Sequence, residues 1–200
     1  MEKIILLNGS PRAPRSNSKL YAESFIKKSK CPCKYINLTK SNHHKVIETF
    51  HDATQVVLVF PLYVDGIPST LLSFLKDLEM AHLPHKPVIS VLINCGFIEF
   101  EQNEVALDMV RFFCKQNQYD FGSILSIGGG EAMMTTPFKL LAHQKIGSFA
   151  KSIAQKKYKT IAFTMPLSKK TYIKASTRYW TNYGMKNHVT KEEMQTMKIE

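Results

Sequence analysis

Residues 8–18, Asn8-Gly9-Ser10-Pro11-Arg12-Ala13-Pro14-Arg15-Ser16-Asn17-Ser18, join a short apolar run to an amphipathic segment. The run before them, Ile4-Ile5-Leu6-Leu7, is typical of a strand that is buried on both faces of a parallel sheet. The segment after them has an apolar stripe and ends in Lys27-Lys28, a pattern that predicts a helix beginning near Ser18. Because the first turn of a helix leaves backbone N–H groups free and carries the positive end of the helix dipole, this stretch predicts an anion-binding loop.

The side chains of this loop suit a terminal phosphate. Serine hydroxyls and an asparagine amide can donate hydrogen bonds, and arginine adds positive charge. A nucleoside triphosphate or a dinucleotide would bring a pattern of several glycines, whereas Gly9 is the only glycine in residues 8–18. An ordinary turn, in which Ser18 merely caps the helix, remains an alternative. The candidate phosphate ligands are Ser10, Arg12, Ser16, Asn17 and Ser18.

The rest of the chain alternates apolar runs with amphipathic segments. This alternation predicts parallel strands with right-handed helical crossovers, and hence a doubly wound α/β sheet with helices on both faces. We expect five strands in the order 2-1-3-4-5, a flavodoxin-like arrangement in which ligands bind beyond the carboxyl ends of the first and third strands. Residues 160–166 are a candidate for a short extra strand. The five predicted strands lie near residues 4–7, 34–38, 56–60, 88–94 and 121–127.

Three further loops follow predicted strands. Pro61-Leu62-Tyr63-Val64-Asp65-Gly66-Ile67-Pro68 comes after the third strand, and Asn94-Cys95-Gly96-Phe97 closes the fourth. Gly128-Gly129-Gly130 closes the fifth, where glycines allow the backbone to approach a flat ligand or a neighbouring helix closely. Because the carboxyl ends of parallel strands share one edge of the sheet, all three loops are expected near the anion-binding loop.

Together these loops resemble those of the flavodoxin-like NAD(P)H-dependent FMN reductase and quinone reductase family. Residues 9–12 with 16–18 look like the phosphate loop of that family, residues 61–68 like its isoalloxazine loop, and residues 94–97 with 128–130 like its third and fourth loops. The chain departs from the family pattern at Val64, where an aromatic residue is common. The cofactor-binding residues implied by the resemblance are Ser10, Arg12, Ser16, Asn17, Ser18, Pro61, Leu62, Tyr63, Val64, Asp65, Gly66, Asn94, Cys95, Gly96, Phe97 and Gly129.

The resemblance implies an FMN-dependent oxidoreductase that takes electrons from NADPH or NADH. It would pass two electrons to a small-molecule acceptor, which could be a quinone, a flavin, an azo compound or a nitro compound. The flavin would carry the chemistry, so no catalytic side chain is assigned, and backbone N–H groups after Phe60 and Asn94 would hydrogen-bond its ring. The family also implies a homodimer. The alternatives are a flavodoxin-type electron carrier and a non-catalytic FMN-binding module, although carriers of that type resemble one another in being acidic.

Composition narrows the expected partners. The chain has a net charge of +11, and residues 139–200 hold 13 Lys or Arg against 3 Glu. These basic residues match no nucleic-acid-binding motif, so we expect no nucleic-acid partner, whereas attraction of a phosphorylated nucleotide would favour NADPH. Four cysteines without paired ligand spacing predict free thiols and no metal site. No apolar run suggests a leader or a membrane span, so we expect a cytoplasmic protein without a membrane partner. We expect one domain, residues 1–200, whose last part, about 158–200, is a basic extension that the pattern leaves unassigned.

Overall fold

Six parallel strands form one sheet in the computed structural model, which describes residues 3–196. Their order is 2-1-3-4-5-6, so the flavodoxin-like doubly wound arrangement is confirmed and the predicted count of five is one too small. The strands are β1 Ile4–Asn8, β2 Cys33–Asn37, β3 Gln55–Pro61, β4 Val88–Asn94, β5 Phe121–Ile127 and β6 Thr160–Phe163.

The additional strand, β6, has a weak sequence signal for a physical reason. It has only 4 residues, and Phe163 is the only one of them that is buried, so it lacks the continuous apolar run of a central strand. It pairs with β5 from Ile124 opposite Thr160 to Ile127 opposite Phe163, and it forms an edge of the sheet.

Helices cover both faces of the sheet. On one face α1 packs against α6, where the rings of Phe25 and Phe149 meet edge to face with centroids 5.7 Å apart. On the other face α2, α3 and α4 share a core with the apolar residues of β1, β3, β4 and β5. The helices are α1 Asn17–Lys28, α2 His43–Glu48, α3 Ser69–Glu79, α4 Glu104–Gln116, α5 Gly130–Met133, α6 Lys139–Ala154, α7 Lys169–Lys186 and α8 Lys191–Thr196.

The central strands are buried on both faces, as their composition predicts. Residues 56–60 of β3 are at most 1% exposed, because α1 and α3 cover opposite sides of the sheet there. A β-branched apolar run suits this position, since its side chains fill the space between a pleated surface and the helices on it. The sheet thereby holds the loops at its carboxyl edge on a rigid support.

The chain divides into two compact units, Met1–Met165 and Pro166–Glu200. The first unit contains the whole sheet, including β6, which the sequence analysis assigned to the basic extension. The second unit contains α7 and α8, so this part of the chain is helical. Within residues 3–196, no helix combines the length and the apolar character that crossing a bilayer requires.

Candidate functional site

A cavity of about 600 Å³ opens beyond the carboxyl ends of β1, β3 and β4. It lies where the strand order reverses, which is the usual ligand position in open α/β sheets. Three of the predicted loops supply most of its wall. The lining residues are Ser10, Pro11, Arg12, Pro14, Arg15, Ser16, Asn17, Ser18, Lys19, Leu20, Glu23, Pro61, Leu62, Tyr63, Asn94, Cys95, Gly96 and Glu131.

Asn8 organises the first of these loops from its buried position at the end of β1. Its side-chain carbonyl accepts a hydrogen bond from the backbone N–H of Ser10 at 3.0 Å. Its side-chain N–H₂ group lies 2.9 Å from the Tyr35 hydroxyl and 3.3 Å from Ser16 Oγ. One amide therefore holds both ends of the loop, and it also ties the loop to β2 through Tyr35 and Asn37.

The first turn of α1 lines the cavity with Asn17, Ser18 and Lys19. Ser16 is the N-cap, because its side chain accepts from the backbone N–H of Lys19 at 3.2 Å. The alternative in which Ser18 caps the helix is wrong, since Ser18 is the second residue of the helix, is buried, and accepts a hydrogen bond from the Asn94 side chain at 3.4 Å. The first turn has no acidic residue, so its positive end is not neutralised there.

The loop after β3 contains a tight turn with two positive φ angles. Tyr63 and Gly66 exchange backbone hydrogen bonds of 3.0 and 3.1 Å, while Val64 has φ 49° and Asp65 has φ 53°. This is the geometry of a type I′ turn, which normally selects Asn, Asp or Gly at these positions. Tyr63 lines the cavity, but Val64, Asp65 and Gly66 do not, and the Val64 side chain is 90% exposed.

Several backbone N–H groups expected to contact a ring are already engaged within the protein. The N–H of Leu62 donates to Asn94 at 2.7 Å, and the N–H of Cys95 donates to Ile127 at 3.0 Å. The N–H of Tyr63 belongs to the turn described above. The contribution of these residues to the cavity is therefore through their side chains.

Cys95 presents a neutral thiol to the cavity. The residue is buried, and its Sγ lies 3.5 Å from the carbonyl oxygen of Phe97. Loss of hydration raises the pKa of the thiol to about 11. The side chain therefore adds no negative charge to the site at neutral pH. Phe97, which the sequence analysis also placed in the site, is half exposed and does not line the cavity.

The glycines after β5 allow this loop to fold back onto the loop after β4. Gly129 adopts φ 61°, and the N–H of Gly130 donates to the carbonyl of Cys95 at 2.8 Å. A Cβ atom at Gly130 would lie 2.7 Å from Cβ of Asn94, so the approach requires glycine. Gly129 itself is not part of the cavity wall.

The sequence analysis missed Glu131, which this approach brings to the cavity. Its Oε2 lies 3.7 Å from the position that a Cβ atom of Gly96 would occupy, and Asn17 donates to its backbone carbonyl at 3.1 Å. The available signal was an acidic residue directly after three glycines at the end of a strand. The other lining residues absent from the predicted set are Pro11, Pro14, Arg15, Lys19, Leu20 and Glu23.

Comparison with known proteins identifies the fold. No family model and no curated protein matches the chain, whereas solved structures do. An FMN-dependent NADH-azoreductase from Bacillus anthracis, solved in complex with FMN, superposes with a TM-score of 0.58 at 16% identity, covering 77% of this chain and 100% of the other. The fold is flavodoxin-like.

Two more structures support this assignment. An NADPH-quinone reductase from P. pentosaceus has a TM-score of 0.57 at 15% identity and covers 77% of this chain and 98% of its own. The flavodoxin of Streptococcus pneumonia TIGR4 has a TM-score of 0.57 at 15% identity and covers 78% of this chain and 99% of its own. The cavity thus occupies the position where flavodoxin-like folds bind ligands, beyond the ends of the neighbouring strands β1 and β3, where the strand order reverses.

Proposed function

We propose that the protein is an FMN-dependent NAD(P)H oxidoreductase that transfers two electrons to a quinone-like, flavin, azo or nitro acceptor. The observation that carries this proposal is the single cavity wall formed by the Ser10–Ser18 loop, Pro61–Tyr63 and Asn94–Gly96. The similarity in fold to proteins described as azoreductase and NADPH-quinone reductase supports the same assignment.

The residues present fit the phosphate of FMN. The open first turn of α1 lies beside Arg12 and Arg15, and both arginines are exposed at the cavity. A helix start of this kind, reinforced by guanidinium groups, favours a doubly charged terminal phosphate. We therefore assign Ser10, Arg12, Ser16, Asn17 and Ser18 to the phosphate, and we expect FMN rather than FAD because the loop lacks the glycines of a dinucleotide site.

The opposite part of the cavity suits a flat ring. Pro61, Leu62 and Tyr63 offer an apolar wall, and Asn94 and Gly96 close the other side. Bound FMN would supply the hydride chemistry at this position. The chain binds and orients the ring and excludes water, and the neutral Cys95 thiol adds no charge beside the ring. Val64, Asp65, Gly66, Phe97 and Gly129 then act by shaping the loops around the ring.

An anaerobic titration of the purified holoprotein with NADPH or NADH tests this function. We expect mass spectrometry to find FMN in the released fraction, and we expect one equivalent of nucleotide to bleach one equivalent of flavin. A flavodoxin-type carrier would retain FMN but would need a separate reductase. A non-catalytic module would stay oxidised with either nucleotide. If the protein, once freed of its ligand, does not bind added FMN, the assignment of the cavity to FMN is wrong.

The phosphate assignment has its own test. Arg12→Ala should weaken FMN binding by about 1.5 to 3 kcal/mol, the usual value of a charge-assisted contact. Lys40→Ala, which removes an exposed cation that does not line the cavity, is the matched control and should leave the affinity unchanged. Equal affinities for the two variants would place the phosphate elsewhere.

The electron donor and the assembly are part of the same proposal. The excess of Lys and Arg in residues 139–200 favours NADPH, whose additional phosphate increases the electrostatic attraction. If this attraction is a diffuse field, the preference in kcat/KM should fall between 0.1 M and 1 M salt, where the Debye length decreases from about 10 to about 3 Å.

We also expect a homodimer, which sedimentation equilibrium would detect directly.

A further inference from the structure

Helix α7 exposes its largest apolar side chains. Tyr179, Trp180 and Tyr183 are 57%, 40% and 54% exposed. Their rings contact one another, with centroid distances from 5.1 to 6.4 Å. At 100° per residue Ile173 lies on the same side of the helix, and it is also exposed. We call these four residues the aromatic face. A surface helix normally buries such a face, so its exposure indicates a binding surface.

The opposite side of α7 is basic. Lys170, Lys174 and Arg178 follow one another at intervals of four residues, which places them in one row along the helix, and all three are exposed. The 18 residues of α7 include five Lys or Arg and no Asp or Glu. We call Lys170, Lys174 and Arg178 the basic row. The helix therefore combines an apolar side with a strongly positive one.

This separation of the two faces restricts the partner. A second copy packed against the aromatic face would bring Lys169 and Lys186 of both helices, which lie on that side at 100° per residue, into the same interface, so self-association through α7 is disfavoured. A binding site for single-stranded nucleic acid needs aromatic rings and cations on one surface, because the rings stack on the bases while the cations bind the adjacent phosphates. In α7 the basic row is centred on the side away from the rings and meets them at Tyr179, which lines a shallow pocket with Lys174 and Arg178.

An anionic lipid surface can contact both the aromatic face and the basic row. Helices that lie in the headgroup region have aromatic or aliphatic residues on one side and Lys or Arg on the other. Tyr and Trp favour this region because each ring has an apolar body and a polar edge. We propose that α7 binds peripherally to anionic membranes, with the aromatic face in the headgroup region and the basic row attracted to the lipid charge. This peripheral contact revises the expectation of no membrane partner and needs no spanning helix.

The single tryptophan of the chain, Trp180, provides a direct test. The full-length protein is mixed at 0.1 M salt with vesicles of phosphatidylcholine and phosphatidylserine in a 3:1 ratio. We expect a blue shift of tryptophan emission and quenching by brominated lipid. Vesicles of phosphatidylcholine alone should cause a much smaller change, and 1 M salt should reverse most of the effect. Unchanged emission with anionic vesicles at 0.1 M salt would overturn the proposal.

Charge variants separate the basic row from net charge. The triple variant Lys170→Glu, Lys174→Glu and Arg178→Glu should lower the vesicle partition coefficient at least about a hundredfold, since each cation near an anionic surface contributes about fivefold. The control changes the same number of exposed lysines elsewhere, as Lys40→Glu, Lys45→Glu and Lys115→Glu. The vesicle partition coefficient of this control variant should remain within about threefold of the value for the unmodified protein. If both triple variants lose vesicle partitioning equally, the binding depends on net charge and not on the basic row, and the proposal is wrong.

A second pair of variants tests the aromatic face without removing the reporter. Tyr179→Ser with Tyr183→Ser should weaken partitioning and the blue shift of Trp180. Met80→Ser with Leu140→Ser removes two exposed apolar side chains from the first unit and should leave both readouts unchanged. Far-UV circular dichroism of each variant should match that of the unmodified protein, which controls for a loss of total helix content. If a single-stranded oligonucleotide shifts the emission while vesicles do not, the surface binds nucleic acid and the membrane proposal is wrong.

Discussion

Ser24 Oγ and His143 Nδ1 lie 2.6 Å apart and join α1 to α6 across one face of the sheet. Ser24 is buried, and partial burial lowers the pKa of His143, with Lys28, Lys139 and Lys27 lowering it further. The folded protein therefore binds a proton at His143 less readily than the unfolded chain does. The contribution to stability is complete above the ordinary histidine pKa of about 6.5 and is lost as the pH falls through the lower folded value.

His143→Gln should therefore flatten the decrease in stability on the acid side of neutrality. Urea unfolding at several pH values between about 5 and 7.5 measures this effect, because the slope of the unfolding free energy with pH reports the difference in bound protons. His51→Gln, a change at an exposed histidine, is the control and should leave the slope as it is. If His143→Gln leaves the slope unchanged, the lowered pKa of His143 is not a source of the pH dependence of stability.

Removing the Asn8 amide should disorder the predicted phosphate loop. Asn8→Ala leaves the N–H of Ser10 and the Tyr35 hydroxyl without their common partner. We expect a loss of about 1 to 3 kcal/mol in stability, the usual cost of leaving buried polar groups unpaired. We also expect weaker FMN binding. Tyr35→Phe removes only one of these contacts and should cost less in both thermal unfolding and flavin titration.

Relieving the backbone conformation at Val64 should stabilise the protein. A β-branched residue is unfavourable at φ 49°, whereas asparagine is well tolerated in the first central position of a type I′ turn. Val64→Asn should therefore raise the unfolding free energy by up to about 1 kcal/mol. Val105→Asn changes another exposed valine, in the first turn of α4, where no positive φ is relieved; it should leave the unfolding free energy nearly unchanged, because valine and asparagine have similar helix propensities. Denaturant unfolding compares the two.

Neutralising Glu131 should strengthen FMN binding. Its carboxylate lies over Gly96 in the cavity that we assign to a doubly charged ligand, so the two negative charges repel one another. Glu131→Gln keeps the shape of the side chain and removes the charge, and fluorescence titration of the flavin-free protein should show a lower Kd. Glu79→Gln, on an exposed part of α3 away from this cavity, controls for net charge. A weaker complex in Glu131→Gln would indicate that the carboxylate is a ligand of the cofactor.

Much of this architecture is readable from local sequence pattern. The runs Ile4–Leu7 and Val56–Phe60 are continuous and apolar because a strand covered by helices on both faces has no solvent-exposed side that would need polar residues. Their separation by amphipathic segments requires parallel pairing, and the handedness of the crossovers then leaves few topologies. The edge at which ligands bind follows from that topology, which is why the loops at 8–18, 61–63 and 94–96 could be predicted to meet.

What only the tertiary structure decided depends on distances between segments. Glu131 reaches the cavity because Gly130 lets its loop touch Asn94; the three glycines indicate a close approach, but they do not identify Asn94 as the residue approached. The N-cap is Ser16 rather than Ser18 because Asn8 fixes where the loop ends and Asn94 engages Ser18. The strand β6 is short and partly exposed, so its own residues carry little signal and its pairing with β5 determines it. The sequence by itself thus determined the sheet and the edge that holds the site, since burial on both faces leaves a local pattern, whereas the individual side chains of the site were decided by packing between loops that are distant along the chain.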